Sequence, residues 1–273
     1  MATTIQRIQA RLQDSEGDLR NAIGQHIGSF SVALFGIFGA GSSEALRLAG
    51  SGTLVMVAGM YYVLTAAHVW EWLVNERARG VGLTLRPGDD HKFILSMEHI
   101  AAFGPKLTGK WTQWGPDLVF LRIPPELVGP LTAFKTFENL SMQKSGPPDI
   151  NSIELRALIG APAIQGTFTQ THAEININTF FGEQGVQTKR GEFDYVDLLE
   201  NTTFPGVPET FGGVSGGGLW RVVVYEVGEG KFDWHLTFLG TAFYQLRQAG
   251  GNWTVRCHGL DSIYIARQSI NTA

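Results

Sequence analysis

The sequence predicts an all-β protein of two consecutive antiparallel barrels, with an N-terminal helical extension and a short closing helix. Glycine is abundant, at 34 of 273 residues, and only 17 % of the residues are charged, which suits many short strands joined by tight turns. From Phe30 onward the apolar runs are short and punctuated, as strands are. They fall into two sets on either side of a stretch bearing Pro124, Pro125, Pro130, Pro147 and Pro148. A chain of this length can bury a substantial core as one large or two modest lobes. The expected division is a helical extension over 1–29, a first barrel over 30–123, a connection over 124–150, and a second barrel with the closing helix over 151–273.

Residues 4–26 read as one amphipathic helix or two short ones. Ile5, Ile8 and Leu12 share a face, and Leu19, Ile23 and Ile27 resume the pattern after a break at Gly17. Ser15-Glu16-Gly17-Asp18 could restart the helix as a capping box. A helix docked on the body of the protein is expected, rather than one that binds a partner. Strands follow at Ser31–Ile37, then at Gly50–Val57 and Tyr61–Leu64 as a hairpin turning around Ala58-Gly59-Met60. Runs at Val81–Leu85, Lys92–Ser96 and Leu118–Ile123 complete the first set. The second set is Ile153–Ile159, Thr167–Thr169, Glu174–Thr179, Val186–Arg190, Leu219–Val227, Trp234–Tyr244 and Asn252–His258. Asp261–Ser269 reads as the closing helix.

Three islands carry chemistry. Thr65-Ala66-Ala67-His68 ends the run Tyr61–Leu64, Asp117 opens Leu118-Val119-Phe120-Leu121, and Gly213-Val214-Ser215-Gly216-Gly217 precedes the run from Leu219. Singly, each has a bland reading: a flexible loop, a satisfied histidine, a turn aspartate. Together, with spacings suited to two small barrels sharing a cleft, they form a candidate nucleophilic triad. A serine hydroxyl is a poor nucleophile at neutral pH and needs an adjacent base. Histidine, as a residue type, titrates near neutrality and suits that task. An acid then holds the imidazole in the productive tautomer and stabilises the imidazolium.

These islands resemble the trypsin-like (chymotrypsin-fold) serine peptidases, in particular their disulfide-free bacterial branch, over roughly residues 30–265. The resemblance implies two six-stranded antiparallel β-barrels of the chymotrypsin type. It also implies a serine endopeptidase with His68, Asp117 and Ser215 as catalytic residues, working without a cofactor. The backbone N–H groups of Gly213 and Ser215 are then the expected oxyanion hole. Asp89 and Asp90 are the other candidate acids. They lie in the turn-forming cluster Arg86-Pro87-Gly88-Asp89-Asp90-His91, whereas Trp114-Gly115-Pro116 delivers Asp117 directly onto a strand, where the family places its acid.

The strand Leu239–Gln245 resembles the one that pairs with substrate and walls the primary specificity pocket. Phe243, Tyr244 and Gln245 are therefore expected to line that site. Counting six positions before the nucleophile, as the family does, puts Glu209 at the base of the pocket, where a carboxylate would select lysine or arginine. Phe243 and Gln245 would narrow the entrance and favour small or uncharged side chains instead. Secreted members pair a newly freed N-terminus with an acid immediately before the nucleophile. Here that position is Val214, and no activation sequence precedes the first strand.

Other classes fit less well. Gly213–Gly217 also matches the nucleophile elbow of α/β-hydrolases, which requires a helix after the serine and an acid and histidine downstream. The segment after Ser215 is β-branched and aromatic, and the only later histidines are His235 and His258. A catalytically silent peptide-binding or signalling module on the same fold is the remaining alternative, and the complete triad weighs against it. A net charge of −4 gives no electrostatic case for nucleic acid or an anionic membrane. One cysteine and scattered histidines make no metal-site pattern, and Cys257 alone cannot form an intrachain disulfide. The expected partners are a protein or peptide substrate, with a regulatory protein left open. Met1–His26 lacks the pattern of an export signal, so a cytoplasmic location is expected.

Overall fold

The computed structural model describes residues 3–14, 18–39, 44–85, 93–105, 113–142, 146, 151–168, 173–200, 208–228, 230–248 and 253–271. Two antiparallel sheets make up the body, in the two-barrel arrangement of the chymotrypsin type. The first comprises β1 (Ser31–Phe38), β2 (Ala45–Val57), β3 (Met60–Thr65), β4 (Gly80–Leu83), β5 (Phe93–Ser96), β6 (Ala102–Phe103) and β7 (Val119–Arg122), in the order β5-β4-β1-β2-β3-β7-β6. A two-residue β8 (Glu138–Asn139) adds to β2 in parallel. The second barrel takes β9 (Ser152–Gly160), and a separate ribbon follows, β10 (Thr167–Phe168) with β11 (Ala173–Glu174). Then come β12 (Asn178–Arg190), β13 (Phe193–Glu200), β14 (Gly218–Gly228), β15 (Lys231–Arg247) and β16 (Trp253–Gly259). Together with β9 they close in the order β12-β13-β16-β15-β14-β9.

The β2–β3 hairpin turns on Ala58 (φ 49°) and Gly59 (φ 79°), with Val57 paired to Met60. Positive φ at both central residues matches the right-handed twist of the flanking strands. Each sheet has a buried cluster of its own. Val32, Leu34, Val63, Leu121 and their neighbours fill the first, and Leu158, Val196, Leu219 and Cys257 help fill the second.

Helices α1 (Thr4–Gln13) and α2 (Asp18–Gly28) account for the N-terminal pattern as two elements. The first is capped by a reciprocal box, Gln6 N–H to Thr3 Oγ1 at 3.2 Å and Thr3 N–H to Gln6 Oε1 at 2.8 Å. The box expected at Ser15–Asp18 lies largely outside the described residues. Ile8, Leu12, Leu19, Ile23 and Ile27 are buried in a cluster that also holds Val55, Leu64 and Phe120 of the first sheet and Trp220 and Val222 of the second. Arg7 donates two hydrogen bonds to the Glu226 carboxylate on β14, at 3.1 and 2.6 Å. The helices therefore dock on the body and bridge both sheets.

Several elements differ from the expected ones. The first sheet has seven strands in its path rather than six, because Ala102 and Phe103 pair with Leu121 and Phe120. Glu174–Thr179 and Val186–Arg190 are not two strands: β12 runs unbroken from Asn178, its glycine-bearing middle absorbed by a register shift between Gln184 and Gln187. β13 was not expected at all, since Asp194, Asp197 and Glu200 break its apolar pattern. The closing helix expected at Asp261–Ser269 is α5 (Leu260–Asn271). Two further helices are new, α3 (Ala67–Asn75) and α4 (Pro125–Thr132). The second starts within the proline-rich connection because proline at the first helical position loses no hydrogen bond.

Candidate active site

His68 sits in the first turn of α3, which leaves β3 through Thr65 and the cap residue Ala66. Val69 and Leu73 bury one face of this helix beneath β1 and β2, so the imidazole faces outward from a fixed backbone. Asp117 arrives from the turn before β7. Its carboxylate accepts the His68 backbone N–H at Oδ1 (2.9 Å) and lies 2.7 Å from His68 Nδ1 at Oδ2. An anion at a helix N-terminus is favoured by the unpaired amides and the helix dipole. Because a carboxylate only accepts, Nδ1 is the donor in this contact. The Asp117 side chain is 5 % exposed and that of His68 29 % exposed, so the pair is sealed on the acid's side and open on the base's.

The acid has a second anchor, one the sequence did not suggest. The Asp117 backbone N–H donates to His258 Nε2 at 3.0 Å. An amide only donates, so that nitrogen is unprotonated. Burial pushes the His258 pKa down to about 3, which keeps the ring neutral beside the carboxylate. The ring stacks on Phe243 at 4.1 Å between centroids, and Tyr195 lies at 5.2 Å. The loop before Asp117 is held too: Tyr195 Oη donates to the Trp114 carbonyl at 3.0 Å, and the Arg190 and Arg256 guanidinium groups lie over the Trp114 ring. Arg256 in turn makes a bidentate, buried pair with Asp197, both bonds at 2.8 Å.

Ser215 lines the same cavity as His68 and Asp117, a cleft of about 390 Å³. Its loop is tightly bonded. The carbonyls of Phe211, Gly212, Val214, Ser215 and Gly217 accept from the amides of Val214, Ala163, Gly217, Ser51 and Ala242, and the Gly213 carbonyl accepts from the Ser51 hydroxyl. The amides of Phe211, Gly212, Val214, Gly216 and Gly217 all have acceptors. Among the described residues, the amides of this loop without an acceptor are those of Gly213 and Ser215. Gly213 has φ 92°, and a Cβ there would meet the Ala161 carbonyl at 2.5 Å. At Gly216, also at φ 92°, any side chain would collide with the Ser51 carbonyl and Thr65.

The rest of the cleft is lined by Phe211, Gly212, Val214, Ala242, Phe243, Tyr244, Gln245 and Val255. Phe243, Tyr244 and Gln245 thus share the cleft with His68, Asp117 and Ser215. Gln245 Oε1 accepts from the Phe211 N–H at 2.8 Å and so ties the nucleophile loop to β15. Glu209 is not brought to the cleft. The residue is exposed, and its carbonyl accepts from Trp253 Nε1 at 2.7 Å, which holds the chain there along the outside of the barrel. Asp89 and Asp90 lie outside the described residues. Among the described residues, no group of three or more His, Cys, Asp or Glu side chains could hold a metal ion.

No family model matches this sequence, and no curated protein does. Among solved structures the chain is similar to the protease of tobacco vein mottling virus, at 13 % identity and a TM-score of 0.35, covering 85 % of this chain and 78 % of that one.

Proposed function

We propose that this protein is a serine endopeptidase that cleaves peptide bonds through an acyl-enzyme intermediate. One observation carries the reading: the His68–Asp117 pair and Ser215, whose loop holds the two amides without acceptors, open onto one cleft. Ser215 Oγ attacks the substrate carbonyl carbon while His68 Nε2 takes its proton. The oxygen of the tetrahedral intermediate then receives hydrogen bonds from the Gly213 and Ser215 N–H groups. His68 returns the proton to the leaving amine, and a water, activated in the same way, releases the acyl group.

A cysteine-type mechanism has no candidate thiol. The one cysteine in the chain, Cys257, is fully buried in β16, and burial pushes its pKa up, away from thiolate. Among the described residues that line the cleft, no lysine, arginine or further carboxylate stands beside His68 and Asp117, and the walls are largely aromatic and aliphatic. We therefore assign the primary site to uncharged, largely apolar side chains rather than to lysine or arginine.

The test is covalent labelling by a fluorophosphonate. Wild-type protein should label once per chain, and Ser215→Ala should neither label nor cleave casein while keeping its fold. The expected turnover losses are about six orders of magnitude for Ser215→Ala and His68→Ala, and on the order of 10⁴ for Asp117→Asn. Undiminished cleavage by pure Ser215→Ala protein would refute the mechanism. An unreactive wild type would instead favour the silent peptide-binding module.

A further inference from the structure

The nucleophile loop contains glycine at 212, 213, 216 and 217, so its own side chains do little to set the direction of its peptide groups. Val214, where an acid would be needed for an ion-paired lock, is fully buried and apolar. Something outside the loop must therefore hold it. Ser51 on β2, itself 1 % exposed, makes two contacts that do so and a third that orients its hydroxyl. Its backbone N–H donates to the Ser215 carbonyl at 2.8 Å, and its hydroxyl donates to the Gly213 carbonyl at 2.8 Å. The same hydroxyl accepts the Ala161 N–H at 2.9 Å. The polarity is unambiguous, because a carbonyl cannot donate and an amide cannot accept.

We propose that Ser51 is the positioning residue of the oxyanion site, a hydroxyl lock that takes the place of an activation-dependent ion pair. This rests on the serine-peptidase reading above. The two carbonyls that Ser51 holds belong to the two residues whose N–H groups lack acceptors. The peptide units that carry those N–H groups present Gly212 O and Val214 O, held by the Ala163 and Gly217 amides, and Ser51 holds the peptide unit on the other side of each Cα; Gly213 and Ser215 are thus fixed from both sides and both N–H groups keep their direction. Ser51 touches no reacting atom. It connects β2 of the first sheet to the nucleophile loop of the second, so the oxyanion site is complete only when the two barrels are docked.

Removing the hydroxyl leaves the Gly213 carbonyl and the buried Ala161 amide without this partner and frees the Gly213–Val214 peptide to turn. The experiment measures the second-order rate of fluorophosphonate inactivation against pH for wild type, Ser51→Ala, Ser51→Cys and Ser51→Thr, with thermal melting of each. Ser51→Ala should inactivate about 10- to 100-fold more slowly, with the pH midpoint of the rate unchanged, because the His68–Asp117 pair is untouched. Ser51→Thr, which keeps the hydroxyl, should recover most of the rate. Ser51→Cys, similar in size but a poor donor, should fall between, and it serves if the alanine variant does not fold. A wild-type rate in folded Ser51→Ala or Ser51→Cys would overturn the lock. So would a slowed rate accompanied by a shifted pH midpoint, or one that threonine does not rescue. Failure of wild type itself to react at Ser215 would overturn the peptidase reading and the lock together, and only that outcome would do both.

Discussion

At Gln245 and Glu209, two residues read from the same family pattern, the local hydrogen bonds explain why one reaches the cleft and the other does not. The Gln245 side chain accepts the Phe211 amide, so it turns inward and fixes the loop. Glu209, two residues before Phe211, is held outward through its carbonyl by Trp253. An exposed carboxylate outside the cavity exerts a screened and weak field within it. Glu209→Gln is accordingly expected to leave cleavage-site preference unchanged. A fluorogenic panel varying the residue before the cut should favour uncharged side chains in both proteins. A preference for lysine or arginine that disappears in Glu209→Gln would reverse the assignment. Gln245→Ala, by contrast, should slow turnover, since it releases the amide that fixes Phe211.

At the scale of elements, the acid's loop belongs to the first sheet but is held by the second. Trp114 is gripped by Tyr195 of β13, Arg190 of β12 and Arg256 of β16, and Asp197 orients Arg256. Asp197→Ala leaves Arg256 buried without its partner, and this should cost about 3–5 kcal/mol. Thermal melting should read it as a drop of roughly 6–20 °C. A drop within about 2 °C would show that water reaches the arginine and that the pair does not hold the loop. This anchoring is also the part of the site that could not be read in advance. His68, Asp117 and Ser215 stand out because an apolar run ends shortly before the first and opens shortly after each of the others. β13 does not, because its Asp197 and Asp194 carboxylates are satisfied by Arg256 and by Ser262 of α5, partners distant in sequence. His258 reads as an ordinary strand histidine until the fold brings Asp117 beside it. For Ser51 a local signal did exist: glycines on both sides of a serine inside a strand indicate that another backbone approaches closely. The length of β12 is hidden for a related reason, since its internal glycines resemble a turn when their partner strand is unknown.

For the whole molecule, His258 links stability to pH. Its folded pKa is about 3, against about 6.5 for an unfolded histidine. Above pH 6.5 both states are neutral there and the contribution is flat. Below it the unfolded chain takes up the proton that the fold refuses, so stability falls as pH falls from about 6.5 towards 3. Glu226, lowered to about 2 chiefly by its hydrogen bond from Arg7, adds a second loss as pH falls from the ordinary carboxylate value of 4.5 towards 2. Between pH 6.5 and 5 the histidine should dominate. Urea midpoints over that interval should fall in wild type and be flatter in His258→Phe; parallel slopes would remove the assignment.

The N-terminal helices decide how the whole fold is held together. A segment that must be trimmed away for activity would not contribute the centre of a core shared by both sheets. Ile8, Ile23 and Ile27 are fully buried there, and Phe30, at the junction with β1, packs on the buried Trp220 at 4.9 Å between ring centroids. Burying each such aliphatic side chain contributes about 1.5–3 kcal/mol, so loss of the segment approaches the entire stability of an ordinary domain. Ile23→Ala alone should cost about 2–5 kcal/mol. Removal of residues 1–29 should give insoluble protein or a melting temperature lowered by more than about 10 °C, and fluorophosphonate labelling should fall with it. Full-length protein carrying an N-terminal tag should label as fast as untagged protein, because Val214 offers no carboxylate to a freed terminus. Labelling that begins only after residues 1–29 are removed would mean that the helices inhibit the site rather than support it.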